Sequence, residues 1–178
     1  MPTRDARALG WQLPLALALA TLAVVAIGPA VAAVPGVYLA ATAPELTRFD
    51  LAHRRLPDRM TLPGIAVGVV ALVVEALATG SVPWTPIVAA AVLTAVFLGL
   101  VLAGGMGLGD VKLAAVIGLA SPTSSIAVLA PLAAFLLGGV VSAVVLVRRG
   151  RDVRIPFGPF LLAGYAVALL AGPGISTP

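Results

Sequence analysis

The chain contains no cysteine and only one histidine among its 178 residues. The absence of cysteine excludes a disulfide framework, a zinc–thiolate site, an iron–sulfur cluster and a cysteine nucleophile. The lone His53 excludes a multi-histidine metal centre within one chain. We therefore expect no metal and no cofactor, so any catalysis has to use other side chains.

Charge is also scarce. Charged residues make up 10% of the chain, against about 25% in a typical soluble domain, whereas 61% of the residues are hydrophobic. This composition excludes an ordinary soluble domain and a disordered chain, which would be poor in apolar residues. It predicts a protein that folds in a lipid bilayer. The net charge of +4 then indicates membrane orientation, and we expect no nucleic-acid partner.

Seven apolar segments, separated by glycine, proline and charged residues, divide the chain. A membrane-spanning helix needs about 20 mainly apolar residues, and the second, fifth and seventh segments are shorter than that. The fifth could lie buried among the others without crossing fully. We predict an all-α, polytopic transmembrane helical bundle with six to seven spans, forming a single integral membrane domain over residues 1–178. The segments are residues 11–27, 31–46, 61–79, 86–103, 110–120, 125–147 and 157–171, and Thr61-Leu62-Pro63 is the predicted start of the third.

The positions of the basic residues predict the orientation of this bundle. With seven crossings, all eleven fall on the side of the N-terminus, and the opposite loops at 28–30, 80–85 and 121–124 and the tail after residue 171 contain none. Basic loops are retained in the cytoplasm, so we expect a multi-pass protein of the plasma or inner membrane with a cytoplasmic N-terminus. A cleaved signal peptide ending near Ala30-Val31-Ala32 is the competing interpretation of the first segment, and it leaves the remaining topology unchanged.

Two aspartates lie where chemistry is expected, at the cytoplasmic face. Asp50 follows the second segment, and Asp110 follows the glycine-rich stretch at residues 104–109. Glycines let a backbone take positive φ and approach another chain closely, so the two helix ends could pack together. Two carboxyls that share a site cannot both ionise easily, and the pair then holds one proton between them. This is the acid–base arrangement of aspartic proteases.

Each of these residues also has a plain structural interpretation. Asp50 could pair with Arg54, Asp110 could be an N-cap, the two glycines before it could serve helix packing, and Lys112 could extend to the interface. Two other functions remain open at this point. One is a small helical transporter with Asp50, Asp110 and Glu75 as a proton or ion relay, and the other is a non-catalytic assembly subunit.

Taken together, the motifs resemble those of the prepilin peptidases, the type IV leader peptidase family of membrane GxGD-type aspartic proteases. The first motif is DLAHRRLPDRMTLP at residues 50–63, with Met60 at a position that is usually leucine. The second is GMGLGDVKL at residues 105–113, similar to the signature Gly-x-Gly-Asp-x-Lys. A weaker third match, IPFGPF at residues 155–160, resembles the motif that opens the last helix of the family.

The resemblance implies a membrane aspartic endopeptidase that removes the short basic leader of prepilin-like or pseudopilin-like substrates at the cytoplasmic face. It implies that Asp50 and Asp110 are the catalytic pair and that Gly107 and Gly109 shape the loop presenting Asp110. Lys112 and Asp58 are then supporting positions. Many members also carry a cysteine-containing cytoplasmic region and N-methylate the product. Since this chain lacks cysteine, the resemblance favours a compact, peptidase-only form.

Overall fold

The computed structural model describes residues 3–27, 31–149 and 155–171, and these residues form helices without any strand. The chain is a helical membrane bundle, so the predicted fold class is confirmed. A 3₁₀ turn at Val31–Ala33 leads into the second helix. The helices are α1 (Thr3–Ile27), α2 (Val34–His53), α3 (Asp58–Thr79), α4 (Trp84–Leu102), α5 (Leu108–Leu119), α6 (Ser124–Arg149) and α7 (Gly158–Ala171).

Three helices, α3, α4 and α6, are long and apolar enough to cross a bilayer. They expose rows of valine and leucine, such as Val70 and Leu77 of α3 and Val140 of α6, that would be costly to leave in water. Residues 11–26 of α1 and the whole of α7 form shorter apolar helices. The wide apolar surface is therefore the surface that faces lipid.

The short helix α5 lies at the centre of the bundle. Its 12 residues rise about 18 Å, less than the roughly 30 Å of a hydrocarbon core. It packs against α4, α3, α2 and α7, and it is buried along most of its length. Gly118 permits this enclosure because a Cβ there would collide with the backbone of Ala90 in α4. The prediction of a short, internal fifth segment thus agrees with the structure.

Two helix boundaries differ from the predicted ones near the second loop. Helix α2 continues past Leu46 to His53, and Arg54, at φ 53°, ends it by donating its N–H to the carbonyl of Asp50 at 2.8 Å. Helix α3 begins at Asp58 rather than at Thr61 because extended Pro57 accepts the first backbone bond, from Met60 at 3.0 Å. Pro63 consequently lies inside the helix, where neighbouring helices make proline tolerable.

The polar loops gather at one end of the bundle. Helices α2, α4 and α6 end there, and α3, α5 and α7 begin there. The candidate cleavage site at Ala30, the loop at 28–30, residues 151–154 and the tail after 171 lie outside the described residues, as do the side chains of Arg4, Arg7 and Arg149. The basic side chains that are described, all at this end, are Arg48, Arg54, Arg55, Arg59, Lys112 and Arg148.

Candidate active site

A cleft of about 810 Å³ opens at the end of the bundle that carries the polar loops. It brings together the end of α2, the loop between α4 and α5, the last turns of α6 and the start of α7. Both predicted catalytic aspartates, Asp50 and Asp110, line this cleft although they are 60 positions apart in sequence. Its remaining lining residues are His53, Arg54, Arg55, Gly104, Gly105, Met106, Gly107, Ser142, Val145, Leu146, Ile155, Pro156 and Phe157.

The Asp50 carboxyl is almost enclosed by protein. It lies in the last turn of α2, beyond the apolar part of that helix, and the residue is only 4% exposed. Its Oδ2 accepts a hydrogen bond of 2.9 Å from the backbone N–H of Gly158, the first residue of α7. Burial raises the pKa of Asp50 above its ordinary value, and the bond from Gly158 opposes that increase.

The Asp110 carboxyl is held by its own helix start. It occupies the first turn of α5, which is too short to span the membrane, and its Oδ2 accepts the N–H of Gly107 at 3.3 Å. Burial raises the pKa of Asp110 to about 6, the hydrogen bond from Gly107 lowers it, and the negative charge of Asp50 raises it further. The two carboxyls therefore interact electrically, and the protonated form of Asp110 is favoured up to about that pH.

The glycines before Asp110 differ in what they do. Gly104 takes a positive φ of 80°, which glycine adopts without strain. Gly107 has φ −95°, a value open to any residue, and contributes its N–H. Gly109 allows a close approach, because a Cβ there would lie 2.9 Å from the Cβ of Leu56 and 3.2 Å from its backbone nitrogen. Thus the expected positive φ occurs at Gly104, and the expected close approach at Gly109.

The two predicted supporting residues, Asp58 and Lys112, bind each other outside the cleft. The Lys112 ammonium donates to the Asp58 carboxylate, which joins the start of α3 to the first turns of α5. The Lys112 side chain is 32% exposed and that of Asp58 is 59% exposed. The pair links α3 to α5 at the surface, two residues after Asp110.

The basic residues that the structure describes at the rim make no ion pair with either carboxyl. No ion pair within the described ranges joins Asp50 to Arg54, so the alternative role of Asp50 as a partner of that arginine is not what the structure shows. His53 is exposed and stacks on Phe49 at 4.5 Å between ring centroids. Arg54 and Arg55 line the cleft mouth, where they make the approach to the carboxyls positive.

Glu75 lies far from the aspartates. It lines a separate cavity of about 230 Å³ with Pro35, Pro86 and Pro122, formed by the end of α3, the start of α4 and the end of α5. Because α3 begins beside the cleft and runs away from it, this cavity is at the opposite end of the bundle. No cluster of three or more His, Cys, Asp or Glu side chains suited to a metal ion occurs in the described part of the chain.

Sequence reasoning assigned no role to two residues that shape the site. Leu56 is 7% exposed and stands where a Cβ at either Gly109 or Gly158 would meet it. Gly158 supplies the hydrogen bond to Asp50. The IPFGPF motif at 155–160 was the only sequence signal for this second contact, since nothing in the spacing of the chain places residue 158 beside residue 50.

Comparison with known proteins identifies the family of the chain. The model of the type IV leader peptidase family matches residues 37–146, which include both aspartates and five of the described helices in whole or in part. No curated protein and no solved structure shows significant similarity to the chain. The match covers more than half of the chain and contains the motif segments 50–63 and 105–113. The chain therefore belongs to the type IV leader peptidase family.

Proposed function

We propose that this member of a peptidase family is an aspartic endopeptidase that removes the short basic leader from prepilin-like or pseudopilin-like membrane proteins. One observation carries the proposal: carboxyls from two separate helices, Asp50 and Asp110, line the same cleft and interact electrically. An acid pair of this kind can hydrolyse a peptide bond with water alone, so the mechanism requires no cofactor.

The proposed reaction begins with one carboxyl ionised and the other protonated. Burial raises the pKa of both carboxyls, and we assign the ionised form to Asp50 because its backbone donor, the Gly158 N–H, is at 2.9 Å, whereas the Gly107 N–H is at 3.3 Å from Asp110. Asp50 removes a proton from water as the water oxygen bonds to the peptide carbon, and Asp110 gives its proton to the carbonyl oxygen. In the second step the carbon–nitrogen bond breaks, Asp50 passes its proton to the leaving nitrogen, and Asp110 recovers a proton from a gem-diol hydroxyl.

The position of the cleft suits a substrate that lies partly in the membrane. The carboxyls lie at the end of the bundle where the basic loops gather, and the positive-inside rule assigns that end to the cytoplasm. In a prepilin-like protein the basic leader is cytoplasmic and the following apolar helix lies in the bilayer. A protease whose acid pair is at the membrane edge can reach the junction between them.

The decisive experiment compares Asp50→Asn and Asp110→Asn with the wild-type protein in liposomes. The reporter is a membrane protein with a basic leader that ends in glycine and is followed by a long apolar helix. Each asparagine variant should insert normally and lose at least about 100-fold in cleavage rate, because a general acid or base contributes about 10²–10⁴-fold. Cleavage at the wild-type rate by either variant would contradict the proposal.

A matched control is available in the same helix. Glu45 of α2 pairs with Arg48 at 3.6 Å and does not line the cleft, so Glu45→Gln should cleave the reporter at nearly the wild-type rate. The transporter alternative predicts that ion transport, rather than reporter cleavage, is the activity of the protein and that it depends on Glu75. Ion flux through liposomes that stops in Glu75→Gln, without any reporter cleavage by the wild type, would support that alternative.

A further inference from the structure

The first residue of α7 contacts Asp50, one member of the proposed pair, although it lies beyond the region that the family model matches, residues 37–146. The Gly158 N–H donates to the Asp50 Oδ2 at 2.9 Å, and this bond is buried. A Cβ at residue 158 would lie 2.7 Å from the same oxygen. The contact is therefore both a hydrogen bond and a close steric approach that glycine alone allows.

The donor itself is held rigidly. The ring of Phe157, directly before Gly158, packs 5.2 Å from Phe135 of α6 and 6.3 Å from Phe97 of α4, measured between ring centroids. Phe97 is fully buried. Because rings from α4 and α6 pack against Phe157, this residue holds the first N–H of α7 beside Asp50. The positive end of the α7 dipole adds to the attraction for a carboxylate.

We propose that Gly158 is a positioning residue for the Asp50 carboxylate: its N–H orients this group toward the cleft and keeps it the ionised member of the pair. This inference rests on the proposed peptidase function. It assigns the two carboxyls different tasks, with Asp50 as the base that activates water and Asp110 as the acid. A hydrogen bond to the charged form lowers a carboxyl pKa, so the bond opposes the effect of burial on Asp50 and extends activity to lower pH.

Within the described residues, few other charged groups lie near Asp50. Asp110 of α5 faces the same cleft, and His53, Arg54 and Arg55 line its mouth. The residues of α6 that line it, Ser142, Val145 and Leu146, carry no charge. A change in the acid limb of the pH profile on altering residue 158 therefore reports the local bond to Asp50, provided the other four groups are unchanged.

The test is Gly158→Ala, assayed with the leader-bearing reporter across pH. The new methyl group displaces the Asp50 carboxylate from its donor, so we expect kcat to fall by about 10-fold or more, as for loss of a hydrogen bond to a charged group. We also expect the acid limb to move to higher pH, because the Asp50 pKa is no longer lowered by the bond. An unchanged acid limb with wild-type kcat would overturn the proposal.

Two control variants separate positioning from general disturbance. Gly68→Ala introduces a comparable overlap, 2.8 Å from Leu119, at a distance from the cleft, and it should lower stability without moving the acid limb. Gly139→Ala adds a methyl group to open space on α6 and should behave as the wild type. If Gly68→Ala moved the acid limb as far as Gly158→Ala, the effect would be structural and the proposal would be wrong.

A second variant covers the case in which Gly158→Ala does not fold. Phe157→Leu removes the ring that anchors the donor without placing any atom against Asp50, and it should shift the acid limb in the same direction by a smaller amount. No shift would count against the proposal. Cleavage by the wild-type protein distinguishes a failure of the Gly158 proposal from a failure of the proposed peptidase function. If it cuts the reporter, the peptidase proposal survives any result at residue 158, whereas no wild-type cleavage rejects the peptidase itself.

Discussion

Substituting Gly109, in the first turn of α5, by alanine should disturb the acid pair more than a methyl group added at any other glycine between α4 and Asp110. The new Cβ would lie 2.9 Å from the Leu56 Cβ, about 0.5 Å inside the 3.4 Å at which ordinary contact begins. It would also lie 3.2 Å from the backbone nitrogen of Leu56, which a rotamer change cannot move. The first turn of α5 and the segment after α2 must therefore separate by roughly half an ångström.

The consequence for catalysis follows from the neighbours of these two residues. Asp110 is the next residue after Gly109, and Leu56 follows the end of α2, which carries Asp50. A misplacement of about 1 Å can cost a factor of about 100 in rate, so half that distance predicts a loss of roughly 10-fold in kcat. Overpacking should also lower the free energy of unfolding by about 1–3 kcal/mol.

The assay combines initial rates of reporter cleavage with thermal unfolding in the same detergent. Gly99→Ala is the control, because a Cβ at that position of α4 meets nothing within 4 Å. We expect the control to match the wild type in both measurements. A Gly109→Ala variant with wild-type kcat would refute the conclusion that contact with Leu56 sets the separation of the carboxyls.

Four further results are expected. Gly107→Ala should lose much less activity than Gly109→Ala in the same cleavage assay, because its φ of −95° suits alanine and its Cβ would be 3.7 Å from the Asp110 Oδ2; an equal loss would contradict this. Asp58→Asn and Lys112→Met should show a coupling energy of only about 0.2–1 kcal/mol in a double-mutant cycle of unfolding, since the pair is exposed, and a larger, salt-independent value would contradict this. The kcat/KM profile should decline above an apparent pKa of about 6 as Asp110 ionises, whereas a profile that is flat from pH 5 to 8 would assign the proton elsewhere. Between pH 3.8 and about 6 the folded protein binds more protons at Asp110 than the unfolded chain does, so stability should fall as pH rises, and Asp110→Asn should reduce that slope.

The sequence predicts the helices well because lipid imposes a simple rule. Long apolar runs separated by glycine, proline and charged residues form helices however those helices pack against one another. The six described basic side chains lie at one end of the bundle, as expected. The predicted boundaries at Leu46 and Thr61 were wrong because they mark the ends of apolar runs, and a helix can continue into polar residues. Hydrogen bonding instead carries α2 to His53 and starts α3 at Asp58.

The site is predictable only in part. The sequence gives reasons to expect that Asp50 and Asp110 meet, since each lies at a helix end on the same face and the two motifs occur in a recognisable order. Contacts made across the bundle have no local signal. The bond from Gly158 and the packing of Leu56 against two glycines depend on how α7 and α5 pack, which periodicity does not encode.

The most direct measurement of the central claim uses the absence of cysteine. Asp50→Cys/Asp110→Cys places the only two thiols of the chain at the proposed pair, and a short bifunctional thiol reagent should link them within one molecule. Glu75→Cys/Asp110→Cys should not be linked, because Glu75 lines the cavity at the other end of the bundle. If both thiols of the first variant react singly and no internal link forms, the two carboxyls do not share a cleft and the proposed mechanism is wrong.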